Sequence, residues 1–146
     1  AALTVCDPAR PVVVEGESSK IGNILIPPAL WQAMQAARRI EVTAPLAERA
    51  RYLARAYGDI VDDAKRVSAL IERLAGLHSA ERIAAWQQRA AEGQMIDLAA
   101  ALMEEHYDPA YRRHRARLPV ADQQLALHDL SPAGVERHAR DIAALI

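Results

Sequence analysis

The predicted fold depends first on residues 12–17, Val-Val-Val-Glu-Gly-Glu, where three consecutive β-branched residues end in a turn. A run without polar alternation is typical of a short strand that is buried on both faces of a parallel sheet. A second run, Ile40-Glu41-Val42-Thr43, lies between a helical segment from Pro27 to Ala37 and a longer helix that begins near Pro45. A third run, Leu125-Ala126-Leu127-His128, lies near the end of the chain. Strands that alternate with helices predict an α/β layer fold with about three short parallel strands.

The rest of the chain is predicted to be helical. Apolar residues recur at helical spacing three times, at Leu46, Ala50, Leu53 and Tyr57, at Val67, Leu70, Ile71 and Leu74, and at Met95, Leu98, Leu102 and Met103. We expect Gly58, Gly76 and Gly93 to end helices, and Trp31 and Trp86 to anchor the core. The chain is therefore interpreted as one domain, residues 1–146, with a helical insertion at 58–117 and a last strand and helix at 124–146.

The clearest local signal is the start of the last helix. Ser131 suits the N-cap position, and Pro132 suits the first helical position. We expect this helix to turn one stripe toward the core, formed by Val135, Ala139, Ile142 and Ile146.

Composition excludes several classes of protein. The chain has 146 residues, of which 51% are hydrophobic and 4% aromatic, with 18 Lys and Arg against 19 Asp and Glu. A net charge of -1 excludes a general polycation, so any basic site must be local. The single cysteine, Cys6, excludes an intrachain disulfide and fits a reducing, cytoplasmic setting. No apolar run approaches the ~20 residues of a membrane span, so we expect no membrane partner. A start at Ala1 suggests a piece of something longer.

One group of polar residues follows the first predicted strand. Glu15, Glu17, Ser18 and Lys20 lie there together with two glycines, Gly16 and Gly22. Ligand sites in open α/β sheets gather at the carboxyl ends of strands, where a carboxylate could contact Mg²⁺ and a cation could contact an anion. The alternative interpretation is a solvated turn.

A second group is basic and aromatic. Four arginines and one aspartate lie between Tyr107 and Arg117, a net of three positive charges, in a set that comprises Tyr107, Tyr111, Arg112, Arg113, Arg115 and Arg117. Arginine clusters bind phosphate backbones and tyrosines stack on unpaired bases, so this set is a candidate for RNA binding. The alternative is an exposed helix end that the helix dipole favours.

The sequence does not favour a histidine metal site or a phosphate-loop nucleotide site. None of the five histidines pairs with another at the i, i+4 spacing of a metal site, and His78 precedes Ser79, a predicted helix cap. The chain also contains no Gly-x-x-x-x-Gly-Lys-[Ser/Thr] phosphate loop.

Several motifs together resemble one family. The segments are residues 7–31, with Glu-x-Glu-Ser-x-x-Ile-Gly inside them, residues 42–49, Leu77-His78, Glu81-Arg82, and residues 106–111, with Tyr-Asp-Pro-x-Tyr. This combination resembles bacterial tRNA 2-selenouridine synthase. In that family an N-terminal rhodanese-like domain with a catalytic cysteine precedes a P-loop NTPase-like domain. The chain is similar only to the later part of the second domain, without the catalytic cysteine or the phosphate loop.

The resemblance implies a transferase that modifies tRNA. It would replace the sulfur of 2-thiouridine at the wobble position with selenium from selenophosphate, with geranylation of the sulfur by geranyl diphosphate as a route. The chain alone would be inactive. Its partners would be tRNA and the missing N-terminal segments of the parent, and a second copy could form a homodimer with it. The alternative is a helical tRNA-binding or dimerising module without chemistry.

The resemblance also implies roles for particular residues. Five would form the wall of the diphosphate or selenophosphate site, namely Glu15, Glu17, Ser18, Lys20 and Gly22, with Glu15 in contact with Mg²⁺ or its water shell. Arg49 and Arg55 would clamp phosphate, or would only form surface ion pairs with neighbours such as Glu48. The basic and aromatic set would bind tRNA. Because the central P-loop strand is missing, we expect the strands at 12–14 and 40–43 not to be hydrogen-bonded to each other.

Overall fold

The described part of the chain forms a mixed α/β structure that is mostly helical. A computed structural model describes residues 7, 9–16, 18–58, 63–116, 118 and 120–146. In chain order the elements are β1 (Lys20–Ile21), β2 (Ile24–Leu25), α1 (Pro28–Ala36), β3 (Ile40–Thr43), α2 (Leu46–Ala56), α3 (Ala64–Glu72), α4 (Ala80–Ala91), α5 (Met95–Leu102), a π-helical turn (Met103–Tyr107), α6 (Asp108–Arg115), β4 (Gln123–Ala126) and α7 (Pro132–Ala143).

The parallel sheet consists of β3 and β4 within the described residues. Ile40 lies opposite Gln123 and Thr43 lies opposite Ala126. The ladder is extended at one end by the Leu127 backbone N–H, which donates to the Thr43 carbonyl at 2.7 Å. The predicted strand at 40–43 is thus confirmed. The strand predicted at 125–128 starts two residues earlier, because its hydrogen bonds to β3 and not its apolar residues set its bounds.

The prediction of a strand at Val12–Val14 is wrong. These residues are assigned to no strand, and their side chains are 48–65% exposed. A run of β-branched residues forms a strand only when another strand offers hydrogen bonds and a surface to cover it. Among the described residues no strand pairs with this run, so the valines remain exposed and make no hydrogen bonds with the strand at 40–43.

A small antiparallel hairpin, formed by β1 and β2, follows the polar turn. Lys20 pairs with Leu25 and Ile21 with Ile24, and the turn between them begins at Gly22 with φ of 59°. Glycine with positive φ at the first central position is typical of a type II′ hairpin turn, since a side chain there would be strained.

The core lies among α3, α4 and α5, as the helical periodicity predicts. Trp86 is fully buried on α4, and α2 contributes the fully buried Ala50. The cluster around Trp86 is Val67, Ile71, Ile83, Ala90, Leu98 and Ala101, with Leu74, Met95 and Leu102 packed against it. Trp31 is only half-buried, and α1 has no buried residue, so the prediction that Trp31 anchors the core is wrong.

Helix starts follow the capping signals. The Ser79 hydroxyl accepts from the Arg82 N–H at 3.4 Å, and the Ser131 hydroxyl accepts from the Gly134 N–H at 3.1 Å, which confirms both predicted caps. The Asp63 carboxylate caps α3 by accepting from the Lys65 and Arg66 N–H groups. These side chains satisfy backbone donors that have no partner within the helix.

The inner face of α7 differs from the predicted stripe. Gly134 is buried and His138, Ile142 and Leu145 are half-buried, whereas Val135 is 39% and Ile146 49% exposed, and Ala139 is also exposed. At Gly134 a Cβ atom would lie 2.4 Å from the Asp129 carbonyl oxygen. Only glycine therefore allows the loop before α7 to pass this close to the first turn of the helix.

Candidate functional site

The polar turn after residue 14 lies on the surface next to the hairpin. Glu15, Ser18 and Lys20 are exposed, and the Ser18 hydroxyl accepts from the Lys20 N–H at 3.0 Å. Glu17 lies outside the described residues. In the part of the chain that is described, no three His, Cys, Asp or Glu side chains converge on a common metal position.

Arg49 connects α2 to the start of α6. Its two terminal amino groups donate to the two Asp108 carboxylate oxygens at 2.8 and 2.7 Å, in a bidentate ion pair. The hydrogen bonds from Arg49 lower the pKa of Asp108, which the charge of Arg112 lowers further, while partial burial opposes the shift. An anion bound to Arg49 at the same atoms would compete with this carboxylate.

Arg55 holds a different segment. Its guanidinium donates to the Leu130 carbonyl and lies 5.7 Å from the centre of the Tyr52 ring. Glu48 accepts from the Leu130 N–H at 3.2 Å and pairs with Arg51. Both side chains thus hold the loop that precedes α7, and the ion-pair partner of Arg49 is Asp108, not the neighbouring Glu48.

The basic and aromatic set lies on the π-helical turn and α6. Tyr107 is 59% and Tyr111 45% exposed, and the side chains of Arg112 and Arg113 are exposed beside them. Arg115 differs, because it forms an ion pair with Glu41 of β3 and lies 5.8 Å from the centre of the Tyr111 ring. Arg117 lies outside the described residues.

Helix α6 is therefore held at both ends, by α2 at its first residue and by β3 at its last. Asp108 is its first residue and pairs with Arg49, and Arg115 is its last residue and pairs with Glu41. These pairs orient Arg112 and Arg113, which lie between them, toward solvent.

A contact between two histidines was not predicted from the sequence. His78 Nε2 lies 2.9 Å from His106 Nδ1, and the His78 ring packs edge-on against Trp86 at 4.8 Å. Burial and the neighbouring His78 lower the pKa of His106. The two residues are 28 positions apart, so no local spacing could have joined them, and only their presence in two of the quoted motifs hinted at a shared role.

The fold and these surfaces define a mixed α/β domain that is mostly helical. The P-loop sheet is not confirmed, because the described parallel sheet has two strands. No helix in the described ranges combines the length and the hydropathy that crossing a membrane requires.

Comparison with protein families identifies the relationship. The family model described as "tRNA 2-selenouridine synthase AAA domain" matches residues 3–84, which is more than half of the chain. The chain belongs to this family, as its motifs indicated. The match includes the polar turn, Arg49, Arg55 and His78, and it ends before α6. The search of curated proteins gives no match, and neither does the search of solved structures.

Proposed function

We propose that this chain is the RNA-holding part of a selenotransferase that converts wobble 2-thiouridine in tRNA to 2-selenouridine. The family match over residues 3–84 carries this proposal, since the family is a domain of a tRNA-modifying synthase. Selenium would come from selenophosphate, with S-geranylation by geranyl diphosphate as the route. The rhodanese-like cysteine and the phosphate loop of the parent would supply the chemistry that this chain lacks.

The RNA would lie along α6. Arg112 and Arg113 would neutralise backbone phosphates, and the exposed rings of Tyr107 and Tyr111 would stack on unpaired bases of the anticodon loop. Local charge of this kind suits a protein with a net charge of -1, because it directs RNA to one face. We assign Arg115 a positioning role, since Glu41 already pairs with it.

The phosphate-bearing substrates would lie at the polar turn. Lys20 would attract the anion, and the backbone at Gly22 could approach it closely because no Cβ is present. The exposed Glu15 carboxylate suits a Mg²⁺ ion that is shared with a diphosphate and keeps most of its water, since Mg²⁺ needs only one or two protein carboxylates in such sites. Ser18 and Glu17 would complete this wall. Arg49 and Arg55 would clamp phosphate by exchanging their present partners, Asp108 and the Leu130 carbonyl, for the anion.

The test is binding of an anticodon stem-loop RNA that contains 2-thiouridine, measured by fluorescence anisotropy over a series of salt concentrations. In the variant Arg112→Ala plus Arg113→Ala we expect weaker binding and a log–log salt slope that is lower by about 2, one for each lost phosphate contact. The matched control is Arg66→Ala plus Arg73→Ala, which removes the same charge from exposed positions on and beside α3.

An equal loss of RNA affinity in the two double variants would contradict a specific RNA face on α6. The proposed selenotransferase role is tested in the complete parent protein, where Lys20→Ala should reduce formation of 2-selenouridine without weakening RNA binding. If Lys20→Ala and Glu15→Gln both leave the reaction rate unchanged, the chain is better described as an RNA-binding module without chemistry.

A further inference from the structure

The two histidines and Arg82 form a chain of hydrogen bonds. Arg82 Nη1 lies 3.4 Å from His78 Nδ1, and His78 Nε2 lies 2.9 Å from His106 Nδ1. Arginine has no acceptor, so Nδ1 of His78 must accept and its proton must be on Nε2. His78 Nε2–H then donates to His106 Nδ1, which leaves the proton of His106 on Nε2.

This arrangement leaves no place for an additional proton between the two rings. A proton on His106 Nδ1 would face the N–H of His78, and a proton on His78 Nδ1 would face the guanidinium of Arg82. Either event breaks a hydrogen bond, and the second also places a charged imidazolium against the charged guanidinium. Both rings are therefore neutral while the contact is intact.

The contact bears directly on the proposed RNA face. His106 lies in the π-helical turn, and its ring packs edge-on against the adjacent Tyr107 ring at 4.8 Å. On its other side His78 is fixed against the fully buried Trp86. Single π-helical turns are frequently found at functional sites.

We propose that His78 and His106 form a proton-sensitive clamp that positions Tyr107 for RNA, closed when both rings are neutral and opened by protonation. The RNA part of this inference rests on the proposed function, while the clamp itself does not. His106 acts here as a positioning residue.

Other charged groups surround the clamp and contribute to its response. Arg82 of α4 forms an ion pair with Glu105 of the π-helical turn at 2.8 Å. The Arg49–Asp108 pair of α2 and α6 lies at the end of the turn, with Arg112 one helical turn further on. On the α5 side, a cleft is shared by Asp97, Glu104, Glu105 and Arg89. Because Arg82 and Glu105 pair with each other, His106 has His78 as its nearest titratable neighbour.

The first test is a histidine NMR titration of the unmodified chain. At pH 7.5 we expect both His78 and His106 as Nε2–H tautomers, and we expect the pKa of His106 to lie below the ordinary value of about 6.5. A proton on Nδ1 of His106 at pH 7.5, or a pKa at or above the ordinary value, would overturn the clamp. This measurement needs no variant and no RNA.

The second test compares the pH dependence of urea unfolding. In the variant His78→Gln plus His106→Asn, the Gln amide nitrogen replaces Nε2 as donor and the Asn oxygen replaces Nδ1 as acceptor, but neither group titrates. We expect the unmodified chain to lose more stability than this variant between pH 7.5 and pH 5.0. The matched control is His128→Asn, an exposed histidine in the loop after β4, which should follow the unmodified chain. The same pH dependence in the double variant would refute the clamp.

The third test measures RNA affinity. Added positive charge alone would tighten RNA binding on acidification, whereas an opened clamp weakens it, because a correctly placed stacking tyrosine is lost. We expect the Kd of the unmodified chain to rise about 5-fold from pH 7.5 to pH 5.5, a stacking-sized loss, and that of the double variant to stay constant or fall. Tighter binding by the unmodified chain at pH 5.5 would overturn the positioning role. If no RNA binds at pH 7.5, the proposed function fails, and the first two tests still decide the clamp.

Discussion

The substitution Asp108→Asn tests whether the pair with Arg49 stabilises the protein. Asn has the size of Asp but can accept from only one of the two guanidinium amino groups, since its own NH₂ would face the other. One charge-assisted hydrogen bond is lost and the second becomes a bond to a neutral group. A hydrogen bond to a charged group contributes about 1.5–3 kcal/mol, and solvent exposure reduces this contribution.

The exposure of the pair sets where in that range the effect should fall. The side chains of Arg49 and Asp108 are 34% and 26% exposed, so solvent screens the interaction in part. We therefore expect the free energy of unfolding to fall by about 1.5 kcal/mol, near the lower end of the range.

The assay is urea unfolding at pH 7.5 with a double-mutant cycle, Asp108→Asn against Arg49→Gln. We expect a coupling energy of about 1 kcal/mol, because the two residues share both hydrogen bonds. The control is Glu136→Gln, which breaks the i, i+4 pair with Arg140 on α7, where both side chains are at least 70% exposed. That pair should contribute under about 0.5 kcal/mol. A coupling energy no larger than the effect of this control would refute the conclusion that the Arg49–Asp108 pair stabilises the protein.

The pH dependence of the same variant follows from the direction of the shift. Arg49 lowers the pKa of Asp108, so the pair stabilises the native state above the ordinary aspartate pKa of about 3.9 and loses this contribution as pH falls through the lowered pKa. The difference in stability between the unmodified chain and Asp108→Asn should therefore disappear in strong acid.

Three further substitutions test the core and the start of α7. Trp86→Ala should lower the free energy of unfolding by about 3–5 kcal/mol in urea, since the removed ring is fully buried. Gly134→Ala should lower the melting temperature, because the new Cβ would lie 2.4 Å from the Asp129 carbonyl oxygen. Asp129 itself has a pKa lowered to about 2, mainly by the Ser131 N–H and also by Arg137. It should stabilise the protein above its ordinary pKa and lose that effect as the pH falls toward about 2, so Asp129→Asn should flatten the acid-unfolding curve in this range.

Local signals predicted the helices because their causes act over a few residues. The Ser131 hydroxyl reaches an N–H three residues away, and Ser79 acts at the same spacing, so both caps can be identified from neighbouring residues alone. Buried Val67 and Ile71 are likewise one helical turn apart. Such features require no knowledge of the remaining fold.

Strands and tethers depend on partners that are distant in sequence. The valines at 12–14 have the composition of a buried strand, but no described strand covers them, and composition does not reveal this. The bounds of β4 were displaced because its pairing with β3 fixes them. The composition of α6 indicated exposed arginines and tyrosines, yet the partner of Arg49 lies 59 residues away, and the phosphate-clamp prediction for Arg49 could not anticipate it.

Two ion pairs hold α6, Arg49–Asp108 and Arg115–Glu41. They matter for the proposed RNA face because none of the described side chains of α6 is buried. Helix α5 before it places Leu98 and Ala101 in the core, so it is held by apolar packing. Helix α6 is held instead by charge, at Asp108 and at Arg115. Loss of a negative charge near arginines would by itself strengthen RNA binding, whereas loss of the tether should weaken it by letting Arg112 change direction. The sign of the change in RNA affinity for Asp108→Asn therefore distinguishes a carboxylate that only adds charge from one that orients the helix.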